Sequence, residues 1–196
     1  MTKALISIDY SYDFVADDGK LTAGKPAQAI EDRIAQVTQE AYDNGDYIFV
    51  AMDRHDEGDT FHPETKLFPP HNIAGTSGRE LYGKLAGVYD AIKDDNRVFW
   101  MDKRHYSAFS GTDLDIRLRE RRVTTVVLTG VLTDICVLHT AIDAYNLGYD
   151  IEVVASATAS LTPEAHDFAI GHFKNVLGAT TVSYTHLRAH ETTLHL

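Results

Sequence analysis

Short apolar, β-rich runs recur along this chain, and helical stretches separate them. Ala4-Leu5-Ile6-Ser7-Ile8, Tyr47-Ile48-Phe49-Val50-Ala51-Met52, Arg97-Val98-Phe99-Trp100-Met101, Thr125-Val126-Val127-Leu128, Ile151-Glu152-Val153-Val154 and Ala179 to Val182 each read as a buried strand. Pro26 suits the first position of a helix whose stripe is Ile30, Ile34, Val37 and Ala41, and Asn44-Gly45 closes it. Gly78 to Leu85 reads as a short helix, Thr112 to Arg122 as a charged one facing solvent, and Pro163 to Val176 as the last. This alternation leaves few architectures open. Parallel neighbours need crossovers, and right-handed crossovers place helices on both faces of a sheet. The expected fold class is therefore α/β: three layers, α/β/α, around a doubly wound, mostly parallel six-stranded sheet. A chain of 196 residues with no repeat or linker fits one domain, expected over 1–182. Such a domain buries roughly 70% of the surface of its unfolded chain.

Composition narrows the function classes. A formal charge of -11 argues against nucleic acid and anionic membranes as partners. The single cysteine excludes an intrachain disulfide and makes a reducing compartment the default. Ala4 to Ile8 is too short for a signal peptide, and no run approaches the ~18 apolar residues of a membrane span. The expectation is a soluble, cytoplasmic protein acting on a small molecule, with a homo-oligomer open. Ser183 to Leu196 breaks the pattern and looks like translated sequencing-adapter read-through, a non-native tail to be left out of functional reasoning.

In an open parallel sheet, ligands bind beyond the carboxyl ends of the strands. Asp9, Asp53 and Lys103 follow the first three runs there. After the fourth comes Thr129-Gly130-Val131-Leu132-Thr133-Asp134-Ile135-Cys136, where Thr133 or Asp134 can cap a new helix whose stripe is Ile135, Leu138, Ile142 and Tyr145. Cys136 then falls in or near the first turn, where free N–H groups and the helix dipole favour a thiolate and can hold an oxyanion. Lys103 nearby adds to that preference, and Asp9 can carry a proton from the thiol to a leaving amine. The residues alone also allow a small core cysteine beside a structural Asp9–Lys103 ion pair.

Arg54 to Ser77 is a long irregular stretch with three prolines and three histidines. Asp53 and His55 at its start, then His62, Glu64 and His71, can surround a divalent ion such as zinc, manganese or iron. A polar, turn-rich loop is the alternative. Tyr10, Tyr12, Phe14, Phe68 and Tyr106 border the same rim and can wall a flat pocket. His139, His166 and His172 fall on helices and read as structural or surface residues.

Taken in order, Ile8-Asp9-Tyr10-Ser11-Tyr12-Asp13-Phe14, Asp53-Arg54-His55, Phe68-Pro69-Pro70-His71 with Gly75-Thr76, Asp102-Lys103 and Gly130 to Cys136 are similar to the bacterial nicotinamidase branch of the isochorismatase-like cysteine hydrolases. The resemblance covers nearly everything before residue 183. It implies the isochorismatase-like hydrolase fold. It implies hydrolysis of nicotinamide to nicotinate and ammonia through a cysteine thioester, within NAD salvage. It implies a catalytic trio of Asp9, Lys103 and Cys136, and one divalent ion, zinc before manganese or iron. The implied ligands are Asp53, His55, His71 and a fourth that varies in the family, with Glu64 chosen here and His62 the rival. A cis peptide between Val131 and Leu132 is implied, with the Leu132 and Cys136 N–H groups as an oxyanion hole. Phe14, Phe68 and Tyr106 match pocket-wall positions, although the branch often carries tryptophan where this chain has Phe68. Other amides or carbamoyl compounds as substrates, or a catalytically silent metal-binding homologue, are the alternatives.

Overall fold

The computed structural model describes residues 1–182; the tail reading for Ser183 to Leu196 lies outside the described residues. Its strands are β1 (Lys3–Ile8), β2 (Tyr47–Asp53), β3 (Val98–Lys103), β4 (Thr125–Val131), β5 (Asp150–Ala159) and β6 (Thr180–Val182). They form one sheet in the order β3-β2-β1-β4-β5-β6, and every pairing is parallel. The helices are α1 (Tyr12–Val15), α2 (Lys25–Gln28), α3 (Glu31–Asp43), α4 (Gly83–Ile92), α5 (Leu114–Glu120), α6 (Leu138–Asn146) and α7 (Pro163–Asn175).

Alternation along β1 divides the core. Leu5 points toward Val15, Ile34, Val37 and Leu85 from α1, α3 and α4. Ala4, Ile6 and Ile8 point the other way, toward Leu114, Leu118, Val137, Ala141 and Phe173, which lie on or beside α5, α6 and α7. Both faces of the central strands are thus covered, which is why they read as unbroken apolar runs. Among the described residues, no helix is long and apolar enough to cross a membrane.

The strand order reverses between β1 and β4, and a crevice opens at such a switch point. Gly130 at the end of β4 pairs in register with Ile8 at the end of β1. It has φ 113°, and a Cβ there would collide with the carbonyl oxygen of Ile8. Glycine therefore lets the two strand ends close together, one carrying Asp9 and the other leading to Cys136.

Local differences from the sequence reading have identifiable causes. The expected helix from Pro26 is broken, because the chain leaves α2 at Ala29 and restarts at Glu31. The expected helix Gly78 to Leu85 is displaced. Ser77–Arg79 makes one 3-10 turn, Leu81 forms an antiparallel bridge to Ser11, and only at Gly83 does α4 begin. The stretch from Gly78 is spent tying the loop to the β1 exit.

Candidate active site

Asp9, immediately past β1, is completely buried and has φ 56°, a left-handed backbone uncommon outside glycine. Its N–H donates to Ala51 at 3.0 Å, and its carbonyl accepts from Ser11 at 2.8 Å. Those bonds turn the carboxylate into the crevice. Oδ1 accepts the backbone N–H of Asp53 at 2.8 Å, and Oδ2 lies 2.8 Å from Lys103 Nζ. Lys103, the last residue of β3, is also buried; Nζ donates to His105 O at 3.0 Å and to Cys136 Sγ at 3.8 Å. The structure thus brings Asp9, Lys103 and Cys136 together from three strand ends.

Burial pushes the Asp9 carboxyl up, and although Lys103 opposes this, it reaches about 6. Burial works against the Lys103 ammonium, but the charges of Asp9, Cys136 and Asp53 outweigh it and hold that pKa above the usual lysine range. For Cys136 the sequence expectation of a thiolate is reversed. Burial raises the thiol well above its ordinary value, Lys103 pulls it down, and Asp9 and Asp53 push it up again. The resting sulfur keeps its proton beside a carboxylate of raised basicity. Such a pair can form a thiolate at the moment of reaction by passing that proton to Asp9.

Cys136 sits in a π-helical turn, Thr133–Val137, that precedes α6. Leu132 occupies the cap position and its carbonyl accepts from Ile135 N at 3.1 Å and Val137 N at 3.2 Å. The capping expected of Thr133 or Asp134 does not occur. Thr133 Oγ1 pairs with His166 Nδ1 at 2.9 Å and Asp134 accepts from Ser160 at 2.7 Å, so the two side chains anchor the turn to α7 and to the residue just past β5. The Val131–Leu132 peptide is cis.

Beside the trio, one ligand atom each from Asp53, His55, Glu64 and His71 lies within 4.8 Å of the others, and all four residues are buried. Asp53 Oδ2 is 2.8 Å from His55 Nε2 and 3.4 Å from His71 Nε2; Glu64 Oε2 is 3.8 and 3.6 Å from the same nitrogens. Burial alone would raise Asp53, but the hydrogen bond with His55, the nearby His71 imidazole and the charge of Lys103 hold it well below the usual carboxylate range. Burial opposes protonation of His71, yet the Asp53 and Glu64 carboxylates facing Nε2 and the Pro69 carbonyl at Nδ1 push it up to about 10. The carboxylates demand positive charge at their centre, which a divalent ion satisfies as well as protons do. Asp53 Oδ1 and His71 Nε2 are buried without a hydrogen-bond partner among the described residues. His71 Nδ1 can donate to Pro69 O at 2.8 Å, the outer hydrogen bond that orients a metal-binding imidazole. The donor set, two imidazoles and two carboxylates, fits zinc, manganese or iron.

His62 is not in this group. Its Nε2 pairs with Arg104 O at 2.5 Å and its Nδ1 accepts from Glu64 N at 3.3 Å, so it serves the turn that presents Glu64. Phe14 and Phe68 flank His71, with ring centroids 5.3 and 6.3 Å away. Tyr106 packs 5.1 Å from His139, and burial together with the charges of Glu64 and Cys136 raises its phenol. A cavity of about 370 Å³ approaches the four-residue group from the loop side, past Phe68, His55, Glu64 and His71, and Cys136 does not line it.

Two supporting residues escaped the sequence reading. Arg79 donates to Asp53 O at 2.9 Å and to the Asp102 carboxylate, which fixes the end of β2; an arginine in a polar turn gives no such signal. Thr140 accepts from Ala108 N at 3.0 Å and donates to Cys136 O at 2.7 Å. Its spacing of four from Cys136 was a signal that could have been read.

The family model described as the isochorismatase domain matches residues 3–184. The chain belongs to the isochorismatase family. Within that family it is 56% identical over 179 residues to the uncharacterized isochorismatase family protein PncA of Bacillus subtilis (strain 168), covering 91% of this chain and 98% of that protein. The crystal structure of pyrazinamidase/nicotinamidase from Streptococcus mutans UA159 superposes with a TM-score of 0.92 at 80% identity, over 92% of this chain and 100% of that one. The pyrazinamidase of Pyrococcus horikoshii in complex with zinc superposes with a TM-score of 0.81 at 26% identity, over 94% and 100%. The isochorismatase-family fold and its six-stranded parallel sheet are thus shared at high and low identity alike.

Proposed function

We propose that this isochorismatase-family chain is a nicotinamidase, an amidohydrolase that converts nicotinamide to nicotinate and ammonia in NAD salvage. The observation that carries the reading is that the trio and the four-residue group share one rim, with Lys103 Nζ 3.8 Å from Asp53 Oδ1. The high identity to a pyrazinamidase/nicotinamidase supports the substrate class. Asp53, His55, Glu64 and His71 would hold one divalent ion, zinc by analogy with the Pyrococcus horikoshii structure. When bound, that ion supplies a Lewis-acidic anchor for a ring nitrogen.

The rest of the chemistry belongs to side chains of this protein. Phe14, Phe68 and Tyr106 sandwich the ring. Asp9 takes the thiol proton, and Cys136 Sγ attacks the amide carbon. The Leu132 and Cys136 N–H groups hold the tetrahedral oxyanion, an interaction worth about 3 kcal/mol per donor. Asp9 returns the proton to the departing ammonia, which leaves a thioester. Asp9 then takes a proton from water as the water attacks; nicotinate leaves and the sulfur regains its proton. Lys103 keeps the charge at the trio balanced throughout. A cytoplasmic, reducing setting suits this unpaired cysteine.

The test is ammonia release from nicotinamide and from benzamide, side by side, with metal-loaded protein. Turnover of nicotinamide with little from benzamide is the expected result. Release from neither, with Cys136 still alkylated rapidly, refutes the substrate and directs attention to carbamoyl compounds.

A further inference from the structure

The segment after β1 and the long stretch after β2 are tied together by Asp13 and Asn72, which belong to neither the trio nor the ligand group. Asn72 is completely buried, with φ 44°. Its N–H donates to Asp13 Oδ2 at 2.8 Å, its carbonyl accepts the N–H of His55 at 3.0 Å, and its side-chain oxygen accepts from Ser11 Oγ at 2.9 Å. Asn72 also follows His71 directly, so one residue fixes the backbone at two of the four clustered side chains.

Asp13 is 5% exposed, yet none of the ion pairs among the described residues involves it. Its carboxylate is satisfied by backbone instead, from Asn72 and from Lys20 N at 3.2 Å. Gly78 closes over it so tightly that a Cβ there would strike the carboxylate. A buried carboxylate without a cation is costly to keep. Its geometry accounts for the cost, because with the bonds from His55 and Ser11 it holds Asn72 in its left-handed backbone.

We propose that Asp13 and Asn72 are positioning residues, a clip that sets the spacing of His55 and His71 for the divalent ion without touching it. The inference rests on the metal reading above. Partners of this kind, one bond removed from the ligands, typically govern affinity by roughly 10–100-fold.

The test compares zinc dissociation constants, by chelator competition, for the parent protein and for Ser11→Ala, Asp13→Asn and Gly78→Ala. Iodoacetamide alkylation of Cys136 in the metal-free proteins is measured in parallel. Affinity is expected to fall roughly 10–100-fold in Asp13→Asn and Gly78→Ala. Ser11→Ala, which loses a single hydroxyl, is expected to fall about threefold or more and carries the test should the others not fold. Alkylation is expected to stay within about twofold of the parent throughout. Unchanged zinc affinity in the variants overturns the clip alone. Affinity and alkylation shifting together signal general loosening and also overturn it. A parent protein that binds no zinc overturns the metal reading first, and the clip with it.

Discussion

The backbone N–H of Asp53 donates to Asp9 Oδ1 at 2.8 Å, so the carboxylate facing the histidines and the carboxylate facing the thiol belong to one hydrogen-bonded unit. The two halves of the site therefore share their support, and perturbing either should be felt in measurable ways.

Cys136→Ala should abolish ammonia release while the fold survives. The side chain is small and sits in a well-packed core, so the change in stability should be about 1 kcal/mol or less. Release assays and denaturant melts on the same preparation check this. Residual turnover at parent rates removes the nucleophile assignment.

The pH profile follows from Asp9, raised by burial to about 6 against the pull of Lys103. Asp9 must be deprotonated to accept the thiol proton. As pH falls through about 6, kcat/KM should fall, approaching tenfold per pH unit. A profile that is flat down to pH 5 counts against Asp9 as the base.

Chelation of the ion should raise KM for nicotinamide strongly, because the anchored ring loses its fixed end. Glu64→Ala should lower the bound metal per chain, whereas His62→Ala should retain it, since His62 bonds to Arg104 O and Glu64 N. Metal analysis after dialysis decides between them, and equal losses would contradict the assigned ligand set.

Lys103→Met leaves the Asp9 carboxylate buried without its cation. Breaking a buried pair in this way costs about 3–5 kcal/mol. Asp9→Asn together with Lys103→Met should recover much of that loss, since no uncompensated charge then remains at position 9. Denaturant midpoints of the single and double variants test this, and a double variant no more stable than Lys103→Met refutes the pairing.

Gly130→Ala should be among the most damaging single-methyl changes in the chain. It combines φ 113° with a collision against the Ile8 backbone, where no side chain can move aside. Strain of this kind plus displacement of paired strands should cost at least about 3 kcal/mol, read from the denaturant midpoint. A stable, active variant would falsify the close approach of β1 and β4.

Much of this was legible before any coordinates. The central strand runs were visible because both their faces are buried, and the ends of the runs located Asp9, Asp53, Lys103 and Cys136 at one edge. What spacing could not supply was the balance of local fields. A helix start and a nearby lysine favour a thiolate, but burial and two carboxylates outweigh them at Cys136. The fourth ligand was read as Glu64 with His62 the rival; what separates them is a single 3-10 turn, Pro63–Lys66, that turns Glu64 inward and leaves His62 as its cap. Asn72 and Gly78 gave no signal, because their importance lies in backbone contacts with Asp13 and His55.

The strand order has a consequence for how the molecule comes into being. β1 has β2 on one side and β4 on the other, so its second edge waits for residues more than a hundred positions later. During synthesis, the carboxylates, the lysine and the whole histidine group emerge before the cysteine does. The growing chain holds no nucleophile until the segment after the fourth strand has been made. Non-local closure of this type is slow. The sulfur is therefore the last of these groups to be made, and chemical competence has to wait for the sheet's centre to close.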